Sequence, residues 1–316
     1  MRIAVFGAGA VGGYFGGRLA QAGEDVVFIA RGAHLRAMQR HGLRVDSIEG
    51  DFSIDPVQTT DDPAAVGGVD TVLVAVKAWQ VRQAARAMGP MVGPDTFVVP
   101  LENGVEAPSQ LAEVLGKQHV LGGLCRVISS VIEPGHIRHA GISPTIAFGE
   151  LDGRRSERVA RLREAFQRAP GVTPTIPPDI HVAMWEKFLF IATLSGVGAV
   201  TRAPVGVLRS LPETRTMLKE AMKEILAVAQ ARDIALPRRV LTETLAFIDG
   251  LPPEGTASMQ RDVMAGRPSE LASQNGAVVR LGREVGVETP LHHFIYTSLL
   301  PQELQARDET DAGQAV

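Results

Sequence analysis

One lysine, Lys187, stands inside an almost entirely apolar stretch, MWEKFLFIAT at residues 184–193. Its ammonium group either reaches water through the long side-chain stem or is held near a site that uses its charge and its proton. The second role is that of a general acid: an ammonium beside an oxygen on which negative charge develops can stabilise that charge and donate a proton to it. Apolar neighbours favour such a donor, because burial disfavours the charged form of a lysine.

Three glycines near the N-terminus form a G-x-G-x-x-G pattern directly after the apolar run RIAVF and at the start of a helical pattern. That context is the one a dinucleotide-binding fingerprint requires. The first glycine permits a tight turn, the second leaves room for the pyrophosphate, and the third lets helix and strand pack closely. The pyrophosphate would accept N–H groups at the helix N-terminus. The predicted cofactor-binding residues of this turn are Gly7, Ala8, Gly9, Ala10, Val11 and Gly12.

The second apolar run, DVVFIA, indicates which dinucleotide is bound. NAD-dependent enzymes usually place Asp or Glu at the end of this strand, where it accepts from the ribose 2′-hydroxyl. Here Glu24 and Asp25 precede the run, and Arg31 follows it. A guanidinium can pair bidentately with a 2′-phosphate, whereas a carboxylate would repel it. The sequence therefore predicts NADP, with a plain surface arginine as the alternative.

The order of the remaining patterns predicts an α/β fold in two domains. Short apolar runs alternate with helical patterns in the first half, which is typical of a doubly wound, Rossmann-type parallel sheet. The segment LRVDSIEGDFSI is predicted to be an inserted hairpin. Helical patterns over 179–200, 212–233, 237–250 and 269–286 then predict an all-helical C-terminal domain. We place the domains at 1–172 and 173–316, with a polar, disordered tail over about 303–316.

Bulk properties exclude several classes of protein. The 316-residue chain has 21% charged residues, a net charge of -3 and no basic run, so we expect neither a nucleic acid nor a membrane as partner. It has no run of 18 apolar residues, so no transmembrane helix is predicted. The single cysteine, Cys125, fits a cytoplasmic protein. The scattered histidines predict no metal site.

Several further motifs occur in a distinctive order and spacing. They are GAGAVGGYFG at 7–16, Arg31, VKAWQ at 76–80, ENG at 102–104, PGHIRHAG at 134–141, WEKF at 185–188 and GRPSEL at 266–271. In this order they resemble the ketopantoate reductase (2-dehydropantoate 2-reductase) family over about residues 1 to 300. The resemblance implies a Rossmann domain followed by a helical domain, with the active site in the cleft between them. It also implies NADPH-dependent reduction of a 2-keto acid, on the route to pantothenate.

The resemblance also implies roles for particular residues. Arg31, Lys77 and Gln80 would bind the cofactor, and Asn103 would lie near both nicotinamide and substrate. Lys187 corresponds to the catalytic lysine. Ser258 and Glu270 match the serine and glutamate that the helical domain contributes to the substrate site, and Glu270 would hold the lysine charged and in place. Each residue also has a purely structural interpretation, as a strand-end or surface residue (Lys77, Gln80), a turn residue (Asn103), a helix cap (Ser258), a first-turn charge (Glu270) or a snorkelling lysine (Lys187).

Two positions depart from the family pattern. The helix that bears the lysine usually carries asparagines one and two turns later, and here those positions hold Ile191 and Ser195. Residues four apart lie on one helix face, so both are predicted to line the substrate site beside Lys187. Isoleucine offers no hydrogen bond, and a missing polar partner alters discrimination strongly. The expected substrate is 2-dehydropantoate, with a related, more apolar 2-keto acid as the alternative.

Two other classes remain in view. A relative of the β-hydroxyacid dehydrogenases would share the Rossmann-plus-helical plan and a catalytic lysine, but the hairpin insertion and VKAWQ argue against it. An NADP-binding regulatory protein without turnover would need neither Lys187 nor Glu270. The long helices of the second domain fit a homodimer interface and an internal core equally well, so a homodimer is only a working expectation.

Overall fold

The computed structural model describes the backbone of residues 1–314 and the side chains of residues 1–309. The chain divides into two compact units, the first made of Met1–Glu102 and Ala107–His181, the second of Asn103–Glu106 and the chain from Val182 onward. The division therefore falls nine residues after the predicted boundary at 172/173. The reason is a short strand, Thr173–Thr175, which pairs in parallel with Thr145–Ala147 of the first unit. The prediction also missed that Asn103–Glu106 belongs to the second unit.

The first unit is built on a parallel sheet with the strand order β5-β2-β1-β6-β7. All four pairs in this sheet are parallel, and β1 and β6 are buried almost throughout because helix residues pack with both of their faces. The predicted α/β unit with a parallel sheet is confirmed. The strands of the unit are β1 (Arg2–Phe6), β2 (Asp25–Ile29), β3 (Leu43–Ser47), β4 (Phe52–Ile54), β5 (Gln58–Thr60), β6 (Thr71–Val74), β7 (Phe97–Pro100), β8 (Leu121–Glu133), β9 (His136–Glu150) and β10 (Thr173–Thr175).

Helices connect these strands as the alternating pattern predicts. α1 (Ala10–Gln21) follows β1 and packs its glycine-rich face against the sheet, where Gly16 lies against Phe28. The other helices of the unit are α2 (Gly32–His41), α3 (Val81–Ala87), α4 (Ala107–Leu115) and α5 (Glu157–Arg168). α3 begins at Val81, directly after a 3-10 turn over Ala78–Gln80.

A second sheet covers α1 from the other side, and the sequence predicted only part of it. β3 and β4 form the antiparallel hairpin expected from LRVDSIEGDFSI. The long antiparallel pair β8–β9 was not predicted, although it contains the PGHIRHAG motif. Pro134 and Gly135 supply its tight turn, and Gly135 takes a positive φ of 78°. β3 pairs in parallel with β9, which joins the hairpin insertion to this sheet.

The second unit is helical, as predicted. The predicted helices over 179–200, 212–233 and 237–250 correspond to α6 (Ile180–Thr201), α8 (Pro212–Ala231) and α9 (Val240–Gly250). The predicted helix over 269–286 is wrong at its start, because α11 begins only at Asn275. Residues 269–274 are not helical, and 271–274 form turns, after Gly266 with a φ of 65° and Pro268 have interrupted the helical path. The remaining helices are α7 (Val205–Ser210), α10 (Ser258–Met264), α11 (Asn275–Glu284) and α12 (Pro290–Gln314).

α6 is the central helix of the second unit. Its apolar residues point in all directions, and Phe188, Leu189, Ala192 and Val197 are buried in one core with residues of α8 and α11. A helix that is apolar all round is typical of a buried position. By length and mean hydropathy α6 would also qualify as a membrane span, but 67% of its most apolar window is buried in the protein, as in the core helix of a soluble domain.

The C-terminal stretch predicted to be disordered is helical over its described part, because α12 continues to Gln314. Its polar residues have partners that the sequence did not reveal. The buried carboxylate of Glu303 accepts from the backbone N–H of Ser269 at 3.0 Å and from its hydroxyl at 2.5 Å. Arg307 pairs with Glu303 at 2.7 Å and donates to the Ser269 carbonyl at 3.0 Å. The last two residues, 315 and 316, lie outside the described part of the chain.

Candidate functional site

The predicted phosphate-binding turn has the geometry that its three glycines require. Gly7 has a φ of 100°, and a Cβ placed on it would lie 2.7 Å from the Ala75 carbonyl oxygen. A Cβ on Gly12 would lie 2.1 Å from the Gly7 carbonyl oxygen and 2.9 Å from Val5 Cγ1. Gly9 differs from both, because a Cβ there would meet no atom within 4 Å. Gly7 and Gly12 therefore serve the fold, whereas Gly9 leaves open space beside the backbone.

α1 begins at Ala10, with Gly9 as its N-cap and no side chain capping the first turn. The N–H groups of Ala10, Val11 and Gly12 lie in that first turn, where no intrahelical acceptor exists. Such a turn carries the positive end of the helix dipole and binds anions. The open space at Gly9 and the uncapped turn together fit a dinucleotide pyrophosphate.

Arg31 lies where the sequence placed it, at the end of β2. It is the N-cap of α2 and is exposed. No acidic residue lies in the first turn of α2. The carboxylates of Glu24 and Asp25 lie at the opposite end of the strand, where Glu24 pairs with the N-terminal ammonium and with Arg168. This charge distribution suits the 2′-phosphate of NADP.

Lys77 and Gln80 form one short turn after β6. The Gln80 side-chain oxygen accepts the Lys77 N–H at 3.3 Å, and the Gln80 N–H donates to the Lys77 carbonyl at 2.8 Å. The Lys77 ammonium lies 5.8 Å from the centre of the Trp79 ring. Just before this turn, the N–H of Val76 donates at 3.1 Å to the buried carboxylate of Glu102. Glu102 thereby fixes the turn that presents Lys77, a role that the sequence analysis missed although the ENG motif contained it.

The lysine-bearing face of α6 carries Lys187, Ile191 and Ser195 at a spacing of four. Lys187 and Ile191 are partly exposed, but Ser195 is completely buried. Within the described chain the Ser195 hydroxyl has no hydrogen-bond partner. The burial of Ser195 does not support the direct substrate contact predicted for it. The partly exposed positions on this face therefore present one ammonium and one sec-butyl group.

Glu270 lies in the non-helical segment before α11 and is 7% exposed. Its Oε2 atom accepts from Asn103 Nδ2 at 3.0 Å and from Gln274 Nε2 at 3.3 Å. The structure thus joins two predicted substrate residues, Asn103 and Glu270, that are 167 positions apart in the chain. Gln274 was not predicted, because the segment was assigned to a helix in which its amide had no evident role. The Glu303–Ser269 contacts described above fix the residue that precedes Glu270.

A buried polar chain connects α6 with α8, α11 and α12. Asn275 donates to the Ala192 carbonyl at 3.2 Å and to His292 Nδ1 at 3.0 Å. His292 Nε2 in turn donates to the Ala221 carbonyl at 3.0 Å. Burial lowers the pKa of His292 to about 4, although the bond to Ala221 opposes this effect. His292 is therefore neutral near pH 7 and fixes α11 beside α6.

Ser258 occupies the first position of α10 and is partly buried. The N-cap is Ala257, so the structural role of a cap considered for Ser258 does not apply. Among the described side chains, those of residues 1–309, no group of His, Cys, Asp and Glu is arranged to hold a metal ion.

Family models match both units of the chain. The family model for ketopantoate reductase PanE/ApbA matches residues 3–153, and the model for its C-terminal part matches residues 179–303. Together they span most of the chain. The chain belongs to the ketopantoate reductase family.

Individual relatives are of similar length. The 2-dehydropantoate 2-reductase of a Nostoc species is 30% identical over 303 residues, which is 94% of either chain. A crystal structure of 2-dehydropantoate 2-reductase from Geobacter metallireducens is 32% identical, with a TM-score of 0.88 over 96% of this chain and 99% of that one. A ternary structure of D-mandelate dehydrogenase with NADH and anilino(oxo)acetate has a TM-score of 0.87 over 97% of this chain and all of that one. At 22% identity, the last likeness concerns the fold alone.

Membership of this family makes the protein an NADP-dependent oxidoreductase that acts on a CH–OH group and a small keto acid. The first unit fits the cofactor, because Gly9 leaves room for the pyrophosphate and Arg31 supplies a cation where a 2′-phosphate would lie. The roles of the site residues assigned above to each unit stay predictions.

Proposed function

We propose that this protein reduces a 2-keto acid to the 2-hydroxy acid with NADPH, and that 2-dehydropantoate is its first candidate substrate. Lys187 stabilises the negative charge that develops on the ketone oxygen and donates the proton to it. Asn103 donates a hydrogen bond to the substrate, and Ser258 contributes a further hydroxyl. When bound, the nicotinamide of NADPH supplies the hydride. The relatives named 2-dehydropantoate 2-reductase support the choice of substrate.

The observation that carries the proposal is the bond between Asn103 and Glu270 in the second unit. One N–H of the Asn103 amide is used by the buried carboxylate. An amide has two N–H donors and a carbonyl acceptor, so the other N–H and the oxygen can still orient a substrate. Because Glu270 itself is fixed by Gln274 and by the neighbouring Ser269–Glu303 contacts, the amide is held in one orientation. Preorganised donors of this kind stabilise charge that develops in a transition state.

The proposal is tested by NADPH oxidation with purified protein and 2-dehydropantoate. A Lys187→Ala variant should lose most of kcat, and Lys219→Ala should not, because Lys219 is an exposed lysine of α8. Wild-type protein that oxidises no NADPH with any 2-keto acid would refute the proposal. Equal activity of the two lysine variants would refute the role of Lys187.

A second candidate substrate is a 2-keto acid with a more apolar tail. Two observations favour it: Ile191 is the partly exposed residue one turn beyond Lys187, and the Ser195 hydroxyl is fully buried. Neither side chain offers an accessible hydrogen bond at the positions where the family usually has asparagines. A substrate hydroxyl would find no partner there, whereas an alkyl or aryl group would pack against the branched alkyl side chain of Ile191.

The two candidates are separated by the ratio of kcat/KM for 2-dehydropantoate to that for a 2-keto acid without the hydroxyl. If the substrate is apolar, this ratio should be below one for the wild type. It should rise roughly 2- to 13-fold in Ile191→Asn, which is the value of one hydrogen bond. Ile191→Leu is the matched control, because it keeps the site apolar and should leave the ratio unchanged. A wild-type ratio well above one that Ile191→Asn does not raise would leave 2-dehydropantoate as the substrate.

We further propose that the protein acts in the cytoplasm, in keeping with its single, buried free cysteine. Its one small-molecule partner besides the cofactor is the keto acid. A homodimer stays the working expectation for its oligomeric state.

A further inference from the structure

We propose that His34 is a positioning residue for the dinucleotide pyrophosphate, because its ring fixes the peptide group between Ala8 and Gly9 in the phosphate-binding turn. His34 lies on α2, three residues after Arg31, and belongs to none of the family motifs. Its ring joins the phosphate-binding turn to Gly135 in the tight turn of the β8–β9 hairpin. The inference rests on the cofactor assignment and is independent of the substrate.

Both ring nitrogens of His34 have defined partners. Nε2 lies 2.8 Å from the Ala8 carbonyl oxygen, and Nδ1 lies 3.0 Å from the N–H of Gly135. Since an N–H can only donate, Nδ1 must be the unprotonated acceptor. Nε2 therefore carries the proton and donates it to Ala8. Burial lowers the pKa of His34, and this agrees with a neutral ring in this tautomer.

The bond to Ala8 determines where the next N–H points. The Ala8–Gly9 peptide is trans, and in a planar trans peptide the C=O and the N–H point in opposite directions. With the carbonyl directed at His34, the Gly9 N–H is directed away from it. Within residues 1–314 this N–H has no hydrogen-bond acceptor. It is thus a donor held ready beside the open space at Gly9.

Such a peptide needs an external constraint. Glycine adopts positive and negative φ with similar ease, so Gly9 by itself would let the peptide rotate and turn its carbonyl oxygen toward the phosphate. An oxygen in that place would repel the anion. The ring of His34 removes this freedom by anchoring the oxygen to Gly135 of the hairpin turn, whose own carbonyl accepts from Arg44 at 2.9 Å.

Two amide substitutions separate the two halves of this contact. In His34→Gln the side-chain amide can reach the place of Nε2 and still donate to Ala8, but Gly135 loses its acceptor. In His34→Asn the shorter amide can accept from Gly135 at the place of Nδ1, but Ala8 loses its donor. Affinity for NADPH and for NADH is measured by isothermal titration calorimetry, and the free energy of unfolding is measured by urea denaturation.

We expect His34→Asn to weaken NADPH and NADH by the same factor, roughly 2- to 13-fold for one lost hydrogen bond, because both cofactors contain the pyrophosphate. His34→Gln should bind both cofactors within about twofold of wild type, although it is less stable. Arg31→Ala is the contrasting variant, since it should weaken NADPH alone.

Three results would overturn the inference. They are wild-type affinity in His34→Asn, an equal loss of affinity in the Asn and Gln variants, and a loss confined to NADPH. A wild-type protein that binds neither cofactor would instead refute the cofactor assignment, so the two failures are distinguishable.

Discussion

The glycines of the phosphate-binding turn give a matched pair of substitutions, in which the same methyl group is added three residues apart. Gly9→Ala places it where no atom lies within 4 Å. Gly9 has φ -66° and ψ -161°, an extended conformation outside the positive-φ region that favours glycine. Alanine is a poorer N-cap than glycine, but Gly→Ala at a compatible site gains about 0.4–1 kcal/mol from the unfolded state. We expect the free energy of unfolding to change by less than about 1 kcal/mol.

Gly12→Ala places the methyl 2.1 Å from the Gly7 carbonyl oxygen and 2.9 Å from Val5 Cγ1. The first of these atoms belongs to the backbone of the turn, so relief requires α1 to move away from β1. Overpacking in a well-packed core costs about 1–3 kcal/mol. The cost of so short a contact with a backbone atom should reach or exceed the upper end of that range. Gly12→Ala should therefore be less stable than Gly9→Ala by at least about 2 kcal/mol.

Cofactor affinity, in contrast to stability, should be lowered by Gly9→Ala. The methyl of Gly9→Ala fills the space left for the pyrophosphate, and we expect at least a tenfold rise in Kd for NADPH, or about 1.4 kcal/mol. Urea unfolding followed by circular dichroism gives the stability, and calorimetric titration gives the Kd. If Gly9→Ala binds NADPH as wild type does, the pyrophosphate does not lie at Gly9. If it is as unstable as Gly12→Ala, the assignment of Gly9 to ligand and Gly12 to packing is wrong.

Three further substitutions test other parts of the account. Arg31→Ala should raise the Kd for NADPH by roughly 10- to 150-fold, the range for hydrogen bonds to a charged group, and should leave NADH binding almost unchanged; equal losses for both would exclude a 2′-phosphate contact. Lys187→Ala should lower kcat by about 10²–10⁴-fold, as expected for a general acid, with an unchanged Kd for NADPH; near wild-type turnover would support a snorkelling lysine. His292 has a pKa of about 4 against an ordinary 6.5, so the unfolded state takes up its proton first as the pH falls. The protein should lose roughly 3 kcal/mol of stability between pH 7 and pH 4 from this residue, and His292→Gln should show a smaller loss in urea titrations at the two pH values; an unchanged pH dependence would contradict a buried neutral imidazole.

The parts of the fold that follow from local patterns were predicted from the sequence. β1 and α1 were predictable because an apolar run, three glycines and a helical pattern all specify the same turn. The helices α6, α8 and α9 were predicted within a few residues because each is a long helical pattern with Gly or Pro close to at least one end. The β3–β4 hairpin was predicted from its alternation around Glu49 and Gly50.

The parts that depend on distant partners were not predicted. Asn103 bonds to Glu270, 167 residues away, and Glu303 accepts from Ser269. Without that partner Glu303 was simply one charge in a polar tail, so the tail was predicted to be disordered and the segment after Pro268 to be helical. β8 and β9 were missed for a similar reason, since their glycines and serines give little strand propensity and the pair is specified by its long antiparallel register.

Within the candidate site, residue types were predictable and their exposure was not. Spacing places Lys187, Ile191 and Ser195 on one face of α6. It does not show which of these three side chains are buried in the core of the second unit. Asn275 packs across the helix at Ala192 and Gly196, and Ser195 is completely buried. His34 gave no signal in the sequence, because its partners are backbone groups of two other segments.

The most direct test of the account is the rate of NADPH oxidation by the wild-type protein with a panel of 2-keto acids, measured beside Lys187→Ala and Lys219→Ala. The account predicts turnover of at least one 2-keto acid, a strong preference for NADPH over NADH, and a severe loss of kcat in Lys187→Ala alone. Tight NADPH binding without oxidation by any 2-keto acid, or turnover that survives in Lys187→Ala, would contradict it.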